Sequence, residues 1–216
     1  MSDIQYRQHH EALYDPGDPE ILDPQIQCME LLCEYNATRP SEGEKRQKLL
    51  REMFAELGEN CYVEPPLHAN FGGHHIHFGN GVYANYNLTA VDDTHIYVGD
   101  HTMIGPNVTL CTAPHPVCPA LREAGLQYNR PVRIGRNCWI GAGSVVLPGV
   151  TIGDNTVVGA GSIVTRDLPE NVVAVGNPCR VLRPISERDY REYFPGHPIP
   201  PELLESFRAK DDPENS

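Results

Sequence analysis

The sequence has no run of eighteen consecutive apolar residues, so no spanning helix is expected. The opening stretch MSDIQYRQHHEALYD has no apolar core, and a signal peptide is not expected there. Basic residues are scarce: 17 Lys and Arg stand against 29 Asp and Glu, a formal charge of −12. Duplex DNA as partner is argued against, because such binding draws its affinity from cations on phosphates. The seven cysteines (28, 33, 61, 111, 118, 138 and 179) form an odd set without a C-x-x-C pair. Neither a disulfide framework nor a structural zinc site is expected, and a reducing, cytoplasmic setting is the default. The sequons at Asn36, Asn87 and Asn107 are then chance matches. What is present fits one domain with appendages: 216 residues, 40% of them hydrophobic. The 19 glycines and 20 prolines are many for a globular chain but short of low complexity.

The strongest signal is a period of six. From Ile134 the chain reads IGRNCW, IGAGSV, VLPGVT, IGDNTV, VGAGSI, VTRDLP, opening on Ile134, Ile140, Val146, Ile152, Val158 and Val164. An earlier run starts at Val98 (VGDHTM, IGPNVT, LCTAPH), and a looser one at Phe78 (FGNGVY, ANYNLT, AVDDTH). Between early and late runs lies an interruption, Thr112 to Pro131. Six matches neither the helical period of 3.6 nor the strand period of two. It fits a coil with flat sides, three hexads to a turn, whose leading aliphatics point inward and stack. The recurring Gly, Asn and Asp are expected to supply the positive-φ corners. A parallel β-helix is the reading, against an all-β sandwich as rival.

The flanks read as helical. Ile26, Met29, Leu32, Cys33, Leu49, Leu50, Met53, Phe54 and Leu57 recur at helical spacing. The break at Thr38-Arg-Pro-Ser-Glu is followed by Ser41 and Glu44, spaced as a capping box. The expected organisation is an N-terminal helical cap over 1–60, the β-helix over 61–183 with an inserted loop 112–131, and a helical tail over 184–216. In that tail a helix is expected from Ser186 to Tyr193 and another from Pro201 to Arg208, with AKDDPENS frayed at the end.

His115 lies in Cys-Thr-Ala-Pro-His-Pro-Val-Cys, where the repeat is interrupted. Insertions leaving a regular solenoid commonly carry function, and imidazole can take a proton from an attacking hydroxyl. An ordinary loop histidine is the rival reading. His74, His75 and His77 are close enough to suggest a metal. On a strand 75 and 77 face one side and 74 the other, so no local three-ligand set is expected and no metal is assigned.

The hexad pattern resembles the hexapeptide-repeat acyltransferases. Tyr83-Ala-Asn-Tyr-Asn-Leu-Thr, Val91-Asp-Asp, Gly105-Pro-Asn-Val-Thr-Leu, His115-Pro-Val, Cys138-Trp-Ile-Gly, Pro148-Gly-Val-Thr-Ile-Gly-Asp, Gly159-Ala-Gly-Ser-Ile-Val-Thr and Gly176-Asn-Pro-Cys-Arg-Val together resemble one subgroup. It is the galactoside and maltose O-acetyltransferases. The resemblance implies a left-handed coil, a homotrimer with sites between subunits, and direct acetyl transfer from acetyl-CoA to a sugar hydroxyl. It makes His115 the general base and puts Asn70, Asn85, Asp93 and Asp15 on the acceptor, although Asp15 lies one position from the family's carboxylate. Gly72-Gly-His-His-Ile-His77 looks one residue longer than the family pattern. Trp139, Ala142, Ala160, Thr165, Arg166, Arg180 and Arg183 match coenzyme contacts, the arginines suiting phosphate. Arg133 and Arg136 extend that basic cluster. No bound cofactor is implied, and Cys111 and Cys118 are the rival nucleophiles. Two other readings keep the fold. One is a zinc-dependent hydratase of the γ-carbonic-anhydrase type, for which His95, His101 and His115 are on offer. The other is a non-catalytic β-helix binding module.

Overall fold

A computed structural model describes residues 1–208, with side chains described through residue 204. The frayed end expected over 209–216 lies outside the described residues.

Inner aliphatics at every sixth residue make three flat sheets. Short parallel strands stack in a sheet beginning at Glu56–Leu57, a second beginning at Tyr62–Val63 and a third beginning at His68–Ala69. Phe78, Val98, Ile134 and Ile152 lie in register in the first sheet. Ala84, Ile104, Ile140 and Val158 do so in the second. Ala90, Leu110, Val146 and Val164 fill the third. All twelve are 3% exposed or less, forming one continuous core. Each hexad thus contributes one short strand whose leading apolar side chain points inward, with the residue two before it also buried, which is why a six-residue repeat builds a three-sided coil.

The corners are held by asparagine. Asn87, Asn107, Asn137, Asn155 and Asn171 all have φ between 56° and 59° or, at Asn137, 53°. Their side chains form ladders: the Asn137 amide donates to Asn155 Oδ1 and the Asn155 amide to Asn171 Oδ1, both at 2.9 Å. Asparagine tolerates the left-handed region and bonds its own kind along the stack. Aspartate does not take the positive-φ role expected of it. Asp100 and Asp154 instead accept backbone N–H bonds, from Asn80 at 2.6 Å and Arg136 at 2.9 Å.

Two features differ from the sequence reading of the N-terminal half. The β-helix starts at Glu56, ahead of residue 61, because Leu57, Val63 and Ala69 already pair with Phe78, Ala84 and Ala90. The cap itself has three helices, α1 (Asp3–His9), α2 (Pro19–Asn36) and α3 (Gly43–Met53). The capping box expected from Ser41 and Glu44 does not form. Glu42 is the N-cap of α3, and its carboxylate accepts from the Arg39 N–H (2.6 Å), closing the turn first. Leu32, Tyr35, Leu49, Leu50, Met53 and Phe54 join the core of the coil, so α2 and α3 close its first turn.

The described residues divide into two compact units, with the boundary between Arg183 and Pro184. In the second unit Pro201–Arg208 is helical, here α5, and α4 (Pro119–Glu123) belongs to the inserted loop. The helix expected over 186–193 is absent. A single turn there, tied by Glu192 N–H to the Arg188 carbonyl (2.8 Å), leads into an antiparallel pair, Glu192–Phe194 with His197–Pro198. The physical reason is the Pro195-Gly196 turn, with Gly196 at φ 78°, and the lack of a buried helical face. No described helix is long and apolar enough to cross a membrane.

Candidate active site

The interruption of the repeat is a tied hairpin rather than a loose loop. Its limbs are joined by Arg130 N–H to the Thr112 carbonyl (2.8 Å) and Tyr128 N–H to the Pro114 carbonyl (3.3 Å). His115 follows directly, exposed, with Nδ1 3.0 Å from the Leu126 carbonyl. A carbonyl oxygen can only accept, so Nδ1 carries the proton of the neutral ring and the lone pair sits on Nε2. Nε2 has no partner among the described residues. The geometry is that of a base presented outward, its tautomer set by the loop's own backbone.

Behind it lies a buried polar cluster that sequence reasoning did not find beyond Asp93 and Asn70. Asp93 accepts from Asn70 Nδ2 at one oxygen and from Gln127 Nε2 at the other, both at 2.9 Å. The Gln127 amide also faces Tyr14 Oη (2.7 Å) and Asn129 Oδ1 (2.9 Å). Tyr14 and Gln127 exchange both backbone bonds, at 2.9 and 3.0 Å, which brings the adjacent Asp15 to the root of the loop. Asp15 is exposed, and its carboxylate accepts from the Gly17 N–H (2.8 Å). Neighbouring Asp92 is wholly buried and accepts from the Phe71 and Gly73 N–H groups at 2.8 and 3.0 Å. Burial pushes its carboxyl up to about 6, with the Phe71 N–H opposing. This carboxylate anchors the 71–75 turn that breaks the hexad count before Ile76. Nothing in the one-dimensional pattern distinguishes Tyr14, Gln127, Asn129 or Asp92, because their roles arise from contacts 20 to 120 residues apart along the chain.

The remaining candidates occupy other edges. Asn85 lies one corner earlier in the coil, stacked through backbone bonds with Gly105, Gly141 and Gly159. A Cβ on Gly141 would lie 2.5 Å from the Ala160 nitrogen, so that position tolerates only glycine. Ala142 and Ala160 follow in it, exposed, linked by Gly161 N–H to the Ala142 carbonyl (2.9 Å). The Ala142 N–H makes no hydrogen bond among the described residues. Trp139 stands on the outer face of the second sheet at 54% exposure, and the strand Arg180–Pro184 ends that sheet. Arg180 donates to the Cys179 carbonyl (2.7 Å). Thr165 and Arg166 sit at the later corner, following the strand Ile163–Val164 of the sheet that leads into the His115 loop. The structure thus joins His115, Asp93, Asn70 and Asp15 into one neighbourhood through the loop and the N-terminal arm. No described contact links that group to Asn85, Ala142 or Trp139 of the same chain.

The rival chemistries fare as follows. Cys111 is half-buried, and burial pushes its thiol up, away from the thiolate a nucleophile needs. The histidines form a separate cluster: His77 Nε2 is 2.9 Å from His95 Nδ1, and the His9 ring centroid lies 4.8 Å from those of both His75, edge-on, and His95, tilted. Burial lowers His75 to about 3 and His95 to about 4, keeping them neutral. Among the described residues no three His, Cys, Asp or Glu converge to hold a metal ion. A cavity of about 560 Å³ lies against this cluster, lined by His9, His74 and His75 but by none of the candidate residues. The candidate residues lie at the loop and the corners, not at that hollow.

Comparison with known proteins bears on the fold and the family. The maltose acetyltransferase hexapeptide capping motif matches residues 9–58, and the bacterial transferase hexapeptide motif of six repeats matches residues 131–166. A galactoside O-acetyltransferase of Lactococcus lactis is 53% identical over 89% of this chain and 93% of its own. A galactoside acetyltransferase solved in complex with coenzyme A superposes with a TM-score of 0.88 at 46% identity, covering 92% of this chain and 99% of that one. A hexapeptide-repeat acetyltransferase of Vibrio cholerae, solved with acetyl coenzyme A, gives 0.80 at 33% identity over 87% of this chain and 100% of that one. The chain belongs to the hexapeptide-repeat acetyltransferases, in the galactoside and maltose O-acetyltransferase subgroup.

Proposed function

We propose that this protein transfers the acetyl group of acetyl-CoA to a hydroxyl of a sugar or glycoside, with His115 as general base. Membership of the subgroup supports the reaction, and relatives are solved with coenzyme A and acetyl coenzyme A. The observation that supports the base is the Leu126 carbonyl on His115 Nδ1, which leaves Nε2 free to accept. The sugar O–H gives its proton to Nε2 while its oxygen bonds to the thioester carbonyl carbon. The tetrahedral oxyanion collapses, the C–S bond breaks, and the imidazolium returns the proton to the departing thiolate. The unpaired Ala142 N–H is suited to the oxyanion. Asp15, Asn70, Asn85 and Asp93 hold the acceptor in this reading. Trp139, Ala142, Ala160, Thr165, Arg166, Arg180 and Arg183 hold the coenzyme. The test is release of coenzyme A thiol with maltose, glucose and galactosides as acceptors. Turnover dependent on a sugar and on His115 supports the reading, and turnover that requires stoichiometric zinc overturns it.

The enzyme is read as a homotrimer with sites between subunits. Its support is the separation, within one chain, of the His115 corner from the Asn85 and Ala142 corner across a full sheet. A second copy supplies the missing edge. Light scattering is expected to give the mass of three 24.0 kDa chains, and a monomer active at assay concentration contradicts it. A cytoplasmic setting goes with the same reading and is supported by seven cysteines that are all free.

For the coenzyme side, Arg180→Ala is expected to raise KM for acetyl-CoA by about tenfold, in line with the loss of one charge-assisted phosphate contact. The chemical step should change less. An unchanged KM would remove Arg180 from the phosphate site.

A further inference from the structure

We propose that Gln127 is a positioning residue, whose side-chain amide fixes the acceptor carboxylate Asp93 while its own backbone fixes the base His115. The inference rests on the roles proposed above for Asp93 and His115.

Gln127 is 6% exposed and sits at the one place where the inserted loop, the N-terminal arm and the third sheet's corner meet. Its Nε2 carries two protons and faces three oxygens: Tyr14 Oη at 2.7 Å, Asp93 Oδ1 at 2.9 Å and Asn129 Oδ1 at 2.9 Å. The carboxylate is the charged acceptor, so it holds one proton steadily and the two neutral oxygens share the other. Asn129 completes the cluster. Its amide donates to Tyr14 Oη (2.9 Å), to the Gln8 carbonyl (2.9 Å) and to the Asp93 carbonyl (3.3 Å). Gln8 in turn donates to the Asp93 carbonyl (2.9 Å). Among the described residues every buried side-chain nitrogen and oxygen of this cluster is partnered. A buried network so densely partnered favours one arrangement, which suits it to holding geometry.

The same residue reaches the base by another route. The Gln127 backbone exchanges two hydrogen bonds with Tyr14, and the carbonyl immediately before it, Leu126, accepts from His115 Nδ1. A displacement of Gln127 therefore moves the acceptor carboxylate and the base together. Misplacing reacting groups by about 1 Å can lower a rate by about 10²-fold.

Gln127→Met keeps the side-chain volume and removes both protons. It is expected to lower kcat/KM for the sugar by about 10–100-fold, with KM for acetyl-CoA unchanged. The decisive measurement is a double-mutant cycle. In an Asp93→Asn background, Gln127→Met is expected to add little further loss, because its partner is already changed. Full, independent losses in the two backgrounds overturn the proposal, as does unaltered sugar kcat/KM in the single variant. Parallel loss of acetyl-CoA binding would mean a merely structural role. Should Gln127→Met fail to fold, Tyr14→Phe removes the hydroxyl on which both amides converge. A severalfold loss in sugar kcat/KM is then expected, again absent in the Asp93→Asn background, and an effect of equal size there overturns the proposal. If Asp93→Asn itself leaves sugar kcat/KM intact, the acceptor role of Asp93 falls and the proposal falls with it. If Asp93→Asn impairs the reaction and Gln127→Met does not, only the role of Gln127 falls.

Discussion

His115→Ala is expected to reduce acetyl transfer by about 10²–10⁴-fold, the usual contribution of a positioned general base, while acetyl-CoA binding is kept. The side chain is exposed and makes one hydrogen bond, to the Leu126 carbonyl, so its removal leaves no buried group unpaired. The loop retains its backbone ties at Arg130–Thr112 and Tyr128–Pro114. Loss of rate with intact coenzyme binding would therefore report chemistry and not collapse. Steady-state kinetics with saturating sugar, alongside calorimetric titration of acetyl-CoA, separates the two. A variant turning over at near the parental rate would remove His115 from the mechanism and reopen the rivals. Cys118 is then the next candidate, since it is exposed, whereas burial keeps the Cys111 thiol protonated.

The largest loss of stability is expected from Phe78→Ala, about 3–5 kcal/mol, as for other buried Phe truncations. Phe78 is 1% exposed and is in register with Leu57 below and Val98 above. Its ring also meets Phe54 edge-on, with centroids 5.2 Å apart, at the end of α3. Truncation there both opens a cavity in the stack and removes one contact between the helical cap and the coil. Denaturant unfolding at one fixed protein concentration is the measurement, because association of subunits would add to apparent stability. A loss below about 1 kcal/mol, within the range of a surface change, would mean that the cap and the coil do not share one core.

The legible part of this protein was its periodic part. Twelve apolar residues, six apart within each run, specify an inward row on each of three sheets, since stacked coils bring equivalent positions of successive turns into register. Where the count broke, the reading broke too. From Ala69 to Phe78 the spacing is not six, because the 71–75 turn is spliced in and pinned by Asp92, so the first strand, Glu56–Leu57, falls outside the β-helix expected from residue 61. Over 186–193 the charges do pair at helical spacing, Arg188 with Glu192 at 2.8 Å and Arg191 with Glu187 at 2.9 Å. Such exposed pairs are too weak to impose a helix on a segment with no apolar face.

His115 stood out in the sequence because it falls where the repeat is interrupted, and the family resemblance gave it a role. The tautomer of that histidine was not legible, since it depends on the carbonyl of Leu126 across the hairpin. Nor was the clamp on Asp93, which gathers Gln8, Tyr14, Asn70, Gln127 and Asn129 from separate parts of the chain. The sequence by itself determined the coil and its stacking register, because these follow from local spacing repeated many times, and it showed where that repeat is interrupted. Tertiary structure alone decided how the site is held, because a buried polar network is defined by which donors and acceptors meet in space, and no periodicity encodes that meeting.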